Sequence, residues 1–175
     1  DLLNADQVVK VVDYLRSFCQ EPAWPRGNLN LPRPMVTEKA FPENETVVSG
    51  AINARGTPGV ESVVAYERRI GATAMLEAII PYSFTHETGN WGASFGDLAL
   101  GYKQKLAHSV KHGSIFSVGA ELITPTGNTA LGTGGESTVF EGYGAWGQIL
   151  PGDSFVQLHT RSEEHTSELQ SRLHL

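Results

Sequence analysis

Cysteine is nearly absent from this chain: Cys19 is the only one among 175 residues. A lone thiol excludes an internal disulfide, a C-x-x-C redox pair and a cysteine-based zinc centre, and Cys19 reads as a buried or half-buried thiol. Long apolar runs are missing as well. No stretch of about 18 apolar residues exists, which excludes a transmembrane helix. It does not exclude a membrane barrel, whose short strands alternate in polarity and give a far weaker signal. Basic clusters are lacking: Lys and Arg number 13 against 19 Asp and Glu, for a formal net charge of −6. Without a basic run or an Arg-rich helix, nucleic acid is not expected as a partner.

Catalytic signatures are missing too. Ser, His and Asp are present, but no G-x-S-x-G elbow accompanies them, so a hydrolase triad has no support. Gly132-Thr133-Gly134-Gly135 is followed by no Lys-Ser/Thr pair and opens no helix, and reads as a flexible connection rather than a phosphate loop. His108 and His112 have the i, i+4 spacing of a metal pair, yet they fall in an expected hairpin loop without a nearby carboxylate. Neither an enzyme nor a metal or cofactor site is expected in this chain.

What the chain does contain falls into three sections. Residues 1–20 carry a helix signal: Asn4 stands as N-cap, Gln7 sits three residues on as its capping-box partner, and Val8, Val11, Val12, Leu15 and Phe18 make an apolar stripe. Gln20-Glu21-Pro22 ends it, because proline lacks a donor and biases its predecessor away from the α region. Residues 21–44 hold five of the nine prolines and read as an extended linker. Their apolar residues are too scattered for a packed element, although Trp24, Leu29 and Leu31 have the character to lie against a neighbouring surface. From residue 45 the period changes to two. Strands are expected at Thr46–Asn53, Ser62–Gly71, Ala72–Thr85, Phe95–Ala107, Ser114–Thr124, Ser137–Ile149 and Ser154–Thr160, separated by Gly, Pro, Asn and Asp turns.

Sorted by face, these strands are consistent. Leu76, Ala78, Ile80 and Tyr82 oppose Glu77; Leu98, Leu100, Tyr102 and Leu106 oppose Asp97, Lys103 and Lys105. Phe116, Val118, Ala120 and Leu122 oppose Ser117, Gly119 and Glu121, while Phe140 and Trp146 oppose Glu141, Tyr143 and Ala145. A soluble sandwich produces the same alternation. Three features favour a barrel with a polar lumen: acidic residues with small Gly and Ala on the polar side, aromatics near strand ends, and strands of roughly 10–14 residues. Glu67, Arg69, Glu77, Asp97, Lys103, Glu121 and Glu141 are the lumen-facing candidates. Glu77, Glu121 and Glu141 would also suit a glycosidase acid and base, but one per strand on the same face fits a solvated lumen better.

Phe95-Gly96-Asp97-Leu98-Ala99-Leu100-Gly101-Tyr102-Lys103, followed by Leu122-Ile123-Thr124-Pro125-Thr126-Gly127-Asn128, resembles a family of outer-membrane barrels linked to the meta pathway of phenol degradation. The resemblance spans roughly residues 47–160. It implies a Gram-negative outer-membrane protein, with lipid and small hydrophobic or aromatic solutes as partners. Separately, Asp6-Gln7-Val8-Val9 and Val12-Asp13-Tyr14-Leu15-Arg16-Ser17-Phe18 resemble the last helix of class I cytochrome c domains. That resemblance implies a periplasmic haem c domain in a longer protein; with no C-x-x-C-H, this chain alone binds no haem.

Arg161 to Ser171 resemble the translation of a common sequencing adapter, and Arg172 to Leu175 fit its continuation. Residues 161–175 are therefore expected to be artefact. Removing their two arginines and three glutamates changes 13 basic and 19 acidic residues to 11 and 16. The chain opens on Asp1, and both ends are expected to be cut. The expected fold is mainly β: an antiparallel meander forming an incomplete outer-membrane-type barrel over 45–160, with one N-terminal α-helix. The expected function is porin-like transport in the outer membrane, with the N-terminal part in the periplasm. Electron transfer by a cytochrome–barrel fusion is the alternative, and a soluble β-sandwich binding module the third. An open sheet is expected, with an unpaired edge near Val156–Thr160.

Overall fold

A computed structural model describes residues 4–17, 29–32, 38–53, 58–87, 89–152 and 154–165. Phe18, Cys19, Trp24 and the adapter-like residues 166–175 lie outside them, as does the helix stop at Pro22. The one α-helix among the described residues, α1 (Ala5–Ser17), begins as its capping box dictates. The Asn4 backbone N–H donates to Gln7 Oε1 at 2.9 Å, and the Gln7 N–H donates to Asn4 Oδ1 at 2.9 Å. Its stripe of Val8, Val11, Val12 and Leu15 is exposed.

The strands among the described residues form one antiparallel sheet. Its strands are β1 (Thr46–Asn53), β2 (Gly59–Ile70), β3 (Ala74–Glu87), β4 (Asn90–Phe95), β5 (Leu98–Ser109), β6 (Ser114–Thr124), β7 (Val139–Leu150) and β8 (Ser154–His165). They run in meander order, with β4 paired to β3 alone and with β1 and β8 as the two edges. The result is an open, curled half-barrel. Among the described residues the strands form this one sheet, with no second sheet packed against it.

The short strand β4 was not legible, because Thr88-Gly89-Asn90 reads as a turn and Trp91 is the only large apolar residue before Phe95. β4 and β5 are in effect one strand interrupted at Gly96-Asp97. β3 pairs with β5 from Ala74 to Ile79 and with β4 from Tyr82 onward. Pro81 lies opposite the break, and its carbonyl accepts from the Gly96 N–H at 2.9 Å. A proline cannot donate to a ladder, so a central strand tolerates it only at such an irregularity.

β8 runs five residues past the boundary expected at Thr160, pairing Arg161 with Tyr143 and His165 with Val139. The reason is physical rather than sequence-specific. The outer edge of β7 presents a row of unpaired N–H and C=O groups, and backbone pairing accepts nearly any extended segment.

The turns divide the sheet into two ends. Gly71–Thr73, Val110–Gly113 and Pro151-Gly152 are tight connections at one end, where β1 also begins. The other end carries the Gly96-Asp97 break and the long β6–β7 connection over residues 125–138.

The section expected to be a linker does more than connect. Leu29, Leu31 and residues 39–43 are buried against the concave face of the sheet. Leu29, Ala40 and Phe41 cluster with Ile115 and Ala145, with Ile149 packed alongside. The Ser117 hydroxyl donates to the Ala40 carbonyl, the Glu43 N–H donates to Met75 Sδ at 3.1 Å, and Gln157 Nε2 donates to the Pro32 carbonyl at 2.9 Å. A curled sheet with polar groups on its inner side leaves them unsatisfied unless chain or water enters. Here the proline-rich chain enters.

Candidate functional site: the charged concave face

The polarity of the sheet is inside out. On the convex side Leu76, Leu100, Phe140 and Leu158 are exposed, Leu100 by 50%. On the concave side Glu67, Glu77, Lys103, Lys105, Ser117 and Glu141 are buried, Lys103 to 1%. Period-two alternation assigns each residue to a face, and the curl decides which face is inside.

The strand register arranges the inner charges in rows across the sheet. Glu67 stands opposite Glu77, Glu77 opposite Gly101, Gly101 opposite Glu121, Glu121 opposite Glu141 and Glu141 opposite Glu163. The next row toward the tight-turn end runs Arg69, Met75, Lys103, Gly119, Tyr143 and Arg161. A carboxylate row thus lies one pleat, about 7 Å, from a row with three cations. Two glycines make the rows possible. A Cβ at Gly119 would overlap the Tyr143 ring, and one at Gly101 would sit 3.2 Å from Glu77 Oε2. Each vacant position is filled by a neighbour's polar side chain.

Ion pairs link the rows to each other and to the inserted segment. Lys103 Nζ lies 3.2 Å from Glu38 Oε2, and Lys39 Nζ lies 2.5 Å from Glu43 Oε1. Arg161 bridges Glu141 at 3.3 Å and Glu163 at 2.6 Å. A charge as deeply buried as Lys103 is tolerable only when paired, and Glu38 is its partner. Glu43, Glu45 and Glu67 bring carboxylate oxygens within 4.8 Å of one another, the grouping among the described residues that offers three acidic ligands to a cation.

The sequence candidates fare differently. Glu67, Glu77, Lys103, Glu121 and Glu141 all lie on the inner face, Glu121 half-buried and the others buried. Arg69 shares that face by register but sits at the open, tight-turn end and is exposed. Asp97 has a more specific role. It lies on the inner side, lining a cavity with Ala99 and Glu121, but its carboxylate serves as a clamp: its Oδ1 accepts from the Gly127 N–H at 2.8 Å and its Oδ2 from the Gly135 N–H at 2.6 Å. It sits in the break between β4 and β5, where the returning 125–138 loop brings these two N–H groups to its carboxylate.

The same clamp revises the glycine-rich stretch, which reads from sequence as a flexible connection. Thr126 Oγ1 accepts from the Leu98 N–H at 2.8 Å, and Thr133 Oγ1 lies 2.8 Å from Ser94 Oγ. Asn128 caps a 3-10 turn over Thr129–Leu131. The Gly96-Asp97 and Pro125-Thr126-Gly127 motifs therefore act on one another, holding residues 125–135 inward at the long-loop end. Two cavities flank this loop. One, of about 480 Å³, is bounded by Asn53, Glu61, Ser83, Thr85 and Leu131; the other, of about 430 Å³, by Ile79, Asp97, Ala99, Glu121 and Ile123.

Glu38, Lys39, Glu43 and Tyr143 belong to this interior and were not among the sequence candidates. Tyr143 was already on the polar face by alternation. The i, i+4 spacing of Lys39 and Glu43 was the one local signal that the proline-rich section is ordered. The chain matches no family model, and neither a curated protein nor a solved structure matches it.

Proposed function

We propose that this chain is part of an outer-membrane β-barrel that passes small solutes along a charged lumen. One observation carries the reading: the same strands bury their Glu and Lys residues and expose their Leu and Phe residues. In water that arrangement forfeits the hydrophobic contribution of every outer residue, at about 25 cal/mol per Å². In lipid it is the favourable one. The convex aromatics support it. Phe84 and Trp91 stack at 4.8 Å, and Tyr82 meets Phe95 edge-on at 5.4 Å, all toward the long-loop end, where an interfacial girdle belongs.

Barrels of this type have short periplasmic turns and longer outer loops. By that rule the tight-turn end faces the periplasm, and the 125–138 loop faces outward. The N-terminal segment then enters the lumen from the periplasmic side. The free edges of β1 and β8 cannot stand in lipid, where every backbone group needs a partner, so closure requires further strands.

The test is partitioning and permeability of the chain joined to whatever strands close it. The expected product enters the detergent phase, changes gel mobility when left unheated, and makes liposomes permeable to small solutes. A monomer that stays soluble without detergent would sink the proposal.

A further inference from the structure

The long β6–β7 connection does not project away from the sheet; it folds back over the inner face. Ser94 stands opposite Ser83, which alternation puts on the same face of β3 as Glu77. Thr133 Oγ1 lies 2.8 Å from Ser94 Oγ and 3.2 Å from the Phe95 carbonyl oxygen. From there Leu131, Gly132 and Thr133 close one side of the cavity of about 480 Å³, whose opposite wall includes Asn53 on β1, Glu61 on β2, and Ser83 and Thr85 on β3. Those four residues give the wall its hydrogen-bonding groups. Gly132 and Thr133 also face Ile79, Ala99 and Ile123 across the cavity of about 430 Å³. Residues 128–133 therefore stand between two spaces inside the curl, at the long-loop end.

This lobe is closed at its neck. A Cβ on Gly127 would overlap the Thr133 carbonyl oxygen and lie 2.6 Å from the Gly134 Cα. The Cα atoms of Gly127 and Gly134 are thus within about 4 Å of each other, the span of one trans peptide. A chain that leaves and returns to one point in this way is a compact excursion of the Ω type, packed by its own contacts. Within it, Asn128 Oδ1 accepts from the Ala130 and Leu131 N–H groups at 3.0 and 3.3 Å, and the Asn128 carbonyl accepts from the Thr133 N–H at 3.0 Å. Beneath it, the Asp97 carboxylate holds the N–H groups of Gly127 and Gly135, one on each side of the neck. Gly96 completes the seat, because a Cβ there would lie 2.8 Å from Pro81 Cβ and 3.2 Å from the Thr133 carbonyl oxygen. Anchored at neck and flank, the lobe holds its tip, the exposed Leu131, as a positioned edge in the lumen.

We infer that residues 128–133 form a fixed constriction at the outer mouth of the channel, which sets the size limit for the hydrophilic solutes it passes. Leu131 is the specificity-determining residue at the edge of the opening, and Asp97 is the positioning residue that keeps the lobe over it. The inference deepens the channel reading and rests on it.

The experiment measures liposome swelling by the whole barrel that contains this chain, with arabinose, sucrose and raffinose as a size series. Two variants accompany the parent: one with residues 128–133 excised and Gly127 joined to Gly134, the other Leu131→Trp. In the parent the rate should fall steeply from arabinose to raffinose. Excision should raise the raffinose-to-arabinose ratio at least fivefold, and Leu131→Trp should lower it at least twofold. Because the neck already spans one peptide and Asp97 keeps both its anchors, excision should leave strand content and heat-modifiable gel mobility unchanged. If the excised form nonetheless fails to fold, Leu131→Trp, at an exposed tip, carries the test alone. A parent that admits arabinose, with the same size ratio in every folded variant, would place the narrowest point at the proline-rich chain in the lumen and overturn the inference while leaving the channel standing. A parent that admits no arabinose defeats the channel reading, and the inference falls with it.

Discussion

The two faces of a single strand set obey opposite rules. Along β5, Leu100 and Tyr102 point outward and are about half exposed, while Lys103 between them and the turn is 1% exposed and ion-paired. Along β7, Phe140 is outward and exposed while Glu141 beside it is buried. In a water-soluble sheet the apolar side packs and the charged side hydrates. Here the charged side is the packed one. The difference teaches that hydrophobicity alone does not locate the interior of this fold; curvature does, by enclosing the polar face and turning the apolar face toward the solvent.

The contrast breaks most sharply on the outer face. Leu100→Arg places a charge in the middle of the convex surface, and in a bilayer it should cost about 2–4 kcal/mol. Urea unfolding of the vesicle-inserted protein measures it. In a water-soluble protein the same change at a half-exposed leucine would cost almost nothing, so a near-zero result removes the lipid reading of that face. A smaller effect is expected at the clamp. Asp97→Ala removes a carboxylate that accepts two backbone N–H bonds from the 125–138 loop. Hydrogen bonds to charged groups contribute about 1.5–3 kcal/mol when well formed, and partial exposure puts the loss at the low end, roughly 2 kcal/mol. Amide exchange at Gly127 and Gly135 should accelerate, with exchange in β6 and β7 little changed. Uniform acceleration across the sheet would mean that Asp97 supports the fold as a whole rather than the loop.

How much of this was legible beforehand follows from the range of the interactions. Period-two alternation is local, so it placed Glu77, Lys103, Glu121 and Glu141 on one face and correctly grouped Leu100, Phe116 and Phe140 on the other. The meander followed from the turns. The α1 capping box was legible for the same reason, being a contact between Asn4 and Gln7. What stayed hidden depends on residues far apart in sequence. Asp97 becomes a clamp only because Gly127 and Gly135 return to it, and the proline-rich section becomes part of the interior only because Lys103 and Ser117 meet Glu38 and Ala40. Composition describes such a segment as a linker. Only the concave surface it enters gives it a packed role. The pairing of Arg161–His165 with β7 is the converse case, since backbone edges accept a partner that side chains do not specify.

The finest test compares two glycines, one on each face. Gly142 stands on the convex side of β7, with nothing within 4 Å of where a Cβ would be; Gly119 stands on the concave side of β6, where a Cβ would overlap the Tyr143 ring. Both are strand glycines, so Gly→Ala removes the same backbone freedom from the unfolded chain and by itself stabilises by about 0.5–1 kcal/mol. At Gly142 that gain should be realised in full. At Gly119 it is opposed by overpacking, because Tyr143 is hemmed in by His159, whose ring meets it edge-on at 5.6 Å. Displacing a packed ring costs about 1–3 kcal/mol, leaving Gly119→Ala net destabilising by roughly 1 kcal/mol. Measured side by side, the two variants should shift the unfolding midpoint in opposite directions. Shifts of the same sign would mean that the two faces are packed alike, and the distinction between a crowded polar interior and an open apolar exterior would fail where it is most finely drawn.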